Sequence, residues 1–149
     1  MQELTIYLAG EIHSDWRDRL RAHVDALGLP TDIEYVGPQE AHDRSDDVGE
    51  DILGKQPDAR YRDLLGGKVN HLRRRVQMAR ADLVVAYFGP DYKQWNTAAD
   101  AGAAAAIDRP LILVRASGHI HALKDLDAFA DVTVETLEQA ASVIGYIFE

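Results

Sequence analysis

At 149 residues the chain can bury roughly 70% of its unfolded surface, which suits one hydrophobic core and predicts a single domain over residues 1–149. Its 25 acidic against 16 basic side chains leave a net charge of −9, which repels DNA or RNA duplexes and anionic membranes and favours a small-molecule partner. The absence of cysteine excludes a thiol nucleophile, a disulfide framework and a Cys-ligated zinc; with no apolar signal core and no run of about 20 apolar residues, a cytoplasmic protein is expected.

Leu4 to Ala9 is a short apolar stretch stopped by Gly10, which predicts a buried first strand. Ser14 then caps a helix with Asp15 and Asp18 in its first turn. Trp16, Leu20, Val24 and Leu27 form its inner stripe, and Gly28 and Pro30 end it. Ile33 to Val36 predicts a second strand. The segment 37–65 is polar and punctuated by Pro38, Gly49, Gly54 and Pro57. It reads as an irregular candidate lid with room for a short helix, because a structureless connection of that length is uncommon unless it covers a site.

Helical spacing resumes after Gly66, with Val69, Leu72, Val76 and Ala79 as the predicted inner stripe and Arg73, Arg74 and Arg75 around it, mostly outward. Leu83 to Phe88 is continuously apolar, as in a strand covered on both faces. A small-residue helix opens near Asn96 and leads to a strand over Leu111 to Val114. A short helix over His121 to Phe129, a fifth strand over Val132 to Val134 and a last helix carrying Leu137, Ala140, Ala141 and Ile144 complete the chain.

Alternating helices and apolar strands predict an α/β fold: a flavodoxin-like (Rossmann-like) three-layer sandwich with a five-stranded parallel sheet in the order 2-1-3-4-5. Ligands of such sheets bind beyond the carboxyl ends of strands one and three, where the winding reverses. The substrate-binding candidates are therefore Gly10, Glu11, His13 and Asp15 after strand one, with Phe88, Gln94 and Asn96 at and after strand three.

Asp100 opens the most informative segment, a helix start followed by alanines. With Thr97 as N-cap, Asp100 would complete a capping box by reaching back to the Thr97 amide, and the first-turn position would help keep it ionised. An ionised carboxylate in the crevice is equally what nucleophilic attack on an anomeric carbon requires.

Other motifs have simple explanations. Gly49 to Gln56 nearly matches a nucleotide-hydrolase phosphate loop, but it lacks the final Ser or Thr, carries two acids and follows no strand. His119, His121, His13 and His42 have no metal-ligand spacing, and Asp43 to Asp47 lacks the glycine and terminal glutamate of a calcium loop, so no metal site is predicted. Arg44, Arg73 and Arg115 would offer contacts to a phosphorylated substrate.

Thr5 to Gly10, Ala81-Asp82-Leu83-Val84-Val85, and Thr97 to Gly102 leading to Arg109 to Leu113 resemble three signature regions of the nucleoside 2-deoxyribosyltransferases. Nearly the whole chain, with Ala9 to Arg17 as its most distinctive stretch, more specifically resembles the YtoQ branch of that superfamily. The resemblance implies a cofactor-free double displacement at C1′ of a nucleoside or nucleotide. Asp100 would be the nucleophile, Tyr7 the strand-one tyrosine that holds it, and Asp82 a residue near the base or sugar, whereas strand topology alone puts Asp82 at the entrance of its strand, opposite the crevice. It also implies a homo-oligomer, to which the apolar tail Ile144 to Phe148 would contribute an interface unless it caps its own core.

Two positions depart from the transferase pattern. Asp100 stands where those enzymes carry glutamate and has roughly 1.5 Å less reach, so its helix must lie nearer the sugar or the chemistry changes. Gln94 stands where a second aspartate is common and cannot usefully exchange a proton, leaving Glu11, His13 or Asp82 to act as any general acid. Hydrolysis and transfer are both compatible with these residues, as is a nucleoside- or nucleotide-binding module without catalysis.

Overall fold

The computed structural model describes residues 3–149. Five parallel strands, β1 (Leu4–Ala9), β2 (Ile33–Val36), β3 (Leu83–Phe88), β4 (Leu111–Arg115) and β5 (Val132–Val134), lie in the order β2-β1-β3-β4-β5. This is the expected topology. Ile6 is paired with Leu83 and Ala9 with Ala86, so β1 and β3 end side by side at the winding reversal.

The strands alternate sides. Ile6, Leu8, Leu83, Val85, Ile112 and Val114 face α1 (Trp16–Asp25) and α6 (Leu137–Tyr146), whose Leu20, Val24, Leu137, Ala140 and Ile144 complete one core layer. Tyr7, Ala9, Val84, Ala86, Phe88, Leu111 and Leu113 form the other layer. They pack with Met78 and Ala81 at the end of α3 (Ala59–Arg80) and with Ala101 and Ala104 of α4 (Trp95–Ala106). A turn of 3-10 helix at Ser117–His119 and α5 (Lys124–Phe129) replace the single helix expected from His121. Phe148 and Ile144 of the apolar tail pack on the first core layer, whereas Tyr146 and Ile147 are exposed.

Residues 37–65 depart most from expectation. They contain α2 (His42–Leu53) and the start of α3, leaving only short irregular pieces. Asp58 caps α3 by accepting from the Tyr61 amide at 3.2 Å. Helix α2 lacks an apolar stripe because its one buried residue is Gly49, where the helix backbones meet: a Cβ there would lie 2.8 Å from the Gly66 nitrogen. Arg62 of α3 reinforces the pair through ion contacts with Asp47 and Glu50. The phosphate-loop and calcium-loop look-alikes both fall on this helix or its C-terminal end.

Helix α3 is also turned from its predicted orientation. Leu72 and Val76 are exposed, and Gly66, Met78 and the partly buried Asn70, Arg74 and Gln77 face inward. Apolar spacing misidentifies this face because the helix wall beside the cavity is polar.

Candidate active site

The carboxyl ends of β1 and β3, the α2–α3 pair and the start of α4 enclose a cavity of about 570 Å³, within the usual range for small-molecule sites. Its lining includes Gly10, Glu11 and His13 after β1, His42 and Asp46 of α2, Asn70 and Arg74 of α3, and Gln94, Asn96 and Asp100 around α4. The segment expected to cover a site thus does adjoin the crevice.

Asp100 lies at the cavity wall with only 3% of its surface exposed. Helix α4 begins at Trp95 with Gln94 as N-cap, so Thr97 is not the cap and Asp100 lies in the second turn. This removes the capping-box explanation. The Asp100 carboxylate instead turns to the sheet, where Oδ2 accepts from the Tyr7 hydroxyl at 3.2 Å, while Oδ1 lies 2.7 Å from Arg74 Nε. The short side chain reaches because Ala101 and Ala104, both fully buried, let α4 approach the strands closely.

Burial pushes the Asp100 carboxyl up to about 6, against the opposing pull of Arg74, the Tyr7 hydrogen bond and the more distant Arg17. Tyr7 is raised above the usual phenol range by its own burial and then by the Asp100 charge, so it stays a neutral donor. A proton donor and a guanidinium therefore hold the two oxygens of one carboxylate that can ionise near neutral pH. Sequence reasoning placed Arg74 outward and missed this contact; the inward line formed by Gly66, Asn70 and Arg74 at four-residue spacing was the available signal.

The loop after β1 is pinned from beneath. Arg17, 3% exposed, donates to the carbonyls of Leu8 at 3.1 Å, Gly10 at 3.0 Å and Glu11 at 2.6 Å. Trp16 is core and donates to the Glu11 carbonyl at 2.9 Å; a Cβ on Gly10 would meet its indole at 2.4 Å. Glu11 itself bends back to accept from the Ser14 hydroxyl and from the His13 and Ser14 amides. Although burial opposes ionisation, these hydrogen bonds hold its carboxyl below the usual range, which suits a turn-stabilising anion and not a general acid.

Other expected residues separate clearly. His13 stands at the cavity, its ring 5.1 Å from Tyr92 and 5.6 Å from His42. Gln94 lines the cavity, with its amide donating to the Gly89 carbonyl at 3.2 Å, and Asn96 lies beside it. Phe88 is buried in the core layer below and is not among the lining residues. Asp15 points to solvent in an ion pair with Arg19 at 3.0 Å. Asp82 precedes β3 at the opposite end of the strands, where it accepts from the Thr5 amide at 2.9 Å and serves as a strand latch. The parallel direction of β1 and β3 puts that residue far from the carboxyl-end crevice. Of the arginines expected to meet phosphate, Arg73 borders the cavity, whereas Arg44 pairs with Asp51 and Arg115 with Asp127.

This architecture is that of the deoxyribosyltransferase-like α/β proteins. A 2-deoxyribosyltransferase from Bacillus psychrosaccharolyticus shares the fold with a TM-score of 0.58 and 18% identity over 92% of this chain and 90% of its own. A conserved protein from Enterococcus faecalis V583 does so with a TM-score of 0.65 and 17% identity over 98% of this chain and 99% of its own. The chain belongs to the nucleoside 2-deoxyribosyltransferase YtoQ family, whose model matches residues 7–148. It is 48% identical over 147 residues to YtoQ of Bacillus subtilis (strain 168), covering 99% of this chain and 98% of that protein. Among the described residues, no helix is long and apolar enough to cross a membrane.

Proposed function

We propose that this protein cleaves or exchanges the N-glycosidic bond of a nucleoside, deoxynucleoside or nucleotide, with Asp100 as nucleophile and Tyr7 as its orienting donor. The observation that carries this is the Asp100 carboxylate itself, nearly buried yet lining the cavity, with its oxygens held by Tyr7 and Arg74. Membership of a deoxyribosyltransferase family supports the substrate class.

In the first step an Asp100 oxygen forms a bond to C1′ as the C1′–N bond breaks, and the bond electrons leave with the base, which takes up a proton. In the second, a base nitrogen or water attacks C1′ and the ester electrons return to Asp100, giving transfer or hydrolysis with net retention. The developing positive charge on the sugar ring lies against the carboxylate. With Glu11 committed to its turn and Asp82 at the far end of the strands, His13 is the remaining member of the expected acid set that can exchange a proton with the base. The reaction needs no cofactor, and the protein would act as a cytoplasmic homo-oligomer.

The test incubates the protein with 2′-deoxynucleosides or their 5′-phosphates and a second free base, following exchange and base release by chromatography. Exchange that is lost in Asp100→Asn supports transfer, and base release without exchange supports a hydrolase. Nucleoside-dependent melting shifts with no turnover would replace catalysis by binding.

A further inference from the structure

We propose that Arg74 is the positioning residue for Asp100: its guanidinium, on Oδ1, fixes the carboxylate at the cavity wall and keeps it in its anionic, attacking form. The inference rests on the assignment of Asp100 as nucleophile and adds a residue from a separate element. Tyr7 comes from β1 and Asp100 from α4, whereas Arg74 comes from α3, the helix that forms the cavity's polar wall.

The geometry is selective. Arg74 Nε lies 2.7 Å from Asp100 Oδ1, with Arg74 25% exposed and Asp100 4% exposed as side chains. Its neighbours Arg73 and Arg75 are exposed, and although Arg73 also borders the cavity, Arg74 is the arginine of the three that contacts the carboxylate. Arg74 Nη2 also lies 3.1 Å from His71 Nδ1 on the same helix, which braces the guanidinium from the outer side. The N–H does not point squarely at Oδ1, so that oxygen has a counter-ion without a well-aligned hydrogen bond. The more tightly directed contact, from the Tyr7 hydroxyl, goes to Oδ2.

The groups that act most on Asp100 are Tyr7 from β1, Arg74 from α3 and Arg17 from α1, while Glu11, His13, His42, Asp46, Asp63, Arg73 and Lys93 line the same cavity. Tyr7 is neutral. Arg17 sits on three backbone carbonyls and adds a smaller pull, whereas Arg74 is the counter-charge in direct contact with the carboxylate. Without Arg74 the same burial would favour the protonated acid, which cannot attack a sugar carbon.

The test combines an activity-independent titration with a pH profile. In protein carrying 13C-labelled aspartate, with Asp100→Asn identifying the resonance, Arg74→Gln should raise the Asp100 midpoint by about one to two pH units and Arg74→Lys by less than half of that. The acid limb of kcat/KM should move equally, so Arg74→Gln would turn over roughly two- to tenfold more slowly at pH 7 and recover near pH 9. A midpoint moved by less than about 0.3 unit, or a loss equal at every pH, would overturn the role of Arg74. Because the titration needs no turnover, an inactive wild type would refute the proposed reaction while leaving the Arg74–Asp100 coupling measurable.

Discussion

Arg17 donates to the Glu11 carbonyl at 2.6 Å from beneath the loop that closes one side of the cavity, and it is nearly inaccessible while doing so. A buried guanidinium on three carbonyls is an anchor whose loss leaves several backbone acceptors without partners. Arg17→Met should therefore cost about 3 kcal/mol in urea-induced unfolding at pH 7. Arg17→Lys should recover less than half, since one ammonium cannot reproduce the planar fork. Full stability in Arg17→Met would show that the loop holds itself.

Tyr7→Phe removes the hydroxyl and leaves the ring in its core layer. The phenol donates to the ionised carboxylate, so its loss should raise the Asp100 carboxyl further above about 6 and move the acid limb of turnover upward. Stability at pH 5 should change by no more than about 1 kcal/mol. An unmoved acid limb would reduce Tyr7 to packing.

Asp100 also imposes a pH dependence on folding. Its carboxyl rises from 3.8 to about 6 on folding, so between those values the native state holds more of this proton than the unfolded chain does. Stability from this group is consequently greatest below pH 3.8 and falls as pH rises through 6, by about 3 kcal/mol in all. Asp100→Asn cannot ionise. In urea unfolding, its stability relative to the wild type should improve by that order between pH 4 and pH 7.5. A constant difference across that range would contradict the burial of the charge.

Gly49→Ala should disturb the α2–α3 contact, because the new methyl would lie 2.8 Å from Gly66 N and 2.9 Å from Leu65 C, both backbone atoms. A loss of about 1–3 kcal/mol is expected, with faster amide hydrogen exchange in α2 than in the sheet. Weaker nucleoside binding should accompany it, since His42 and Asp46 of α2 line the cavity. Exchange in α2 indistinguishable from the wild type would mean that the helices have room to part at no cost.

The linear sequence by itself determined the alternating fold, because four-to-six-residue apolar runs such as Leu83 to Phe88 have few stable environments other than a sheet covered on both faces. It also brought Tyr7 and Asp100 into one proposal, through the resemblance of short segments. Only the tertiary structure decided that Asp100 turns to Tyr7 and not to the Thr97 amide, that Arg74 faces inward, and that, of the two places open to Asp82, it takes the end of the sheet opposite the crevice. Periodicity reports where apolar surface is buried, and the helix α3 wall beside the cavity buries polar side chains. The helix pair α2–α3 was hidden for a related reason: its contact is a close approach of two glycines, which leaves no apolar stripe to read.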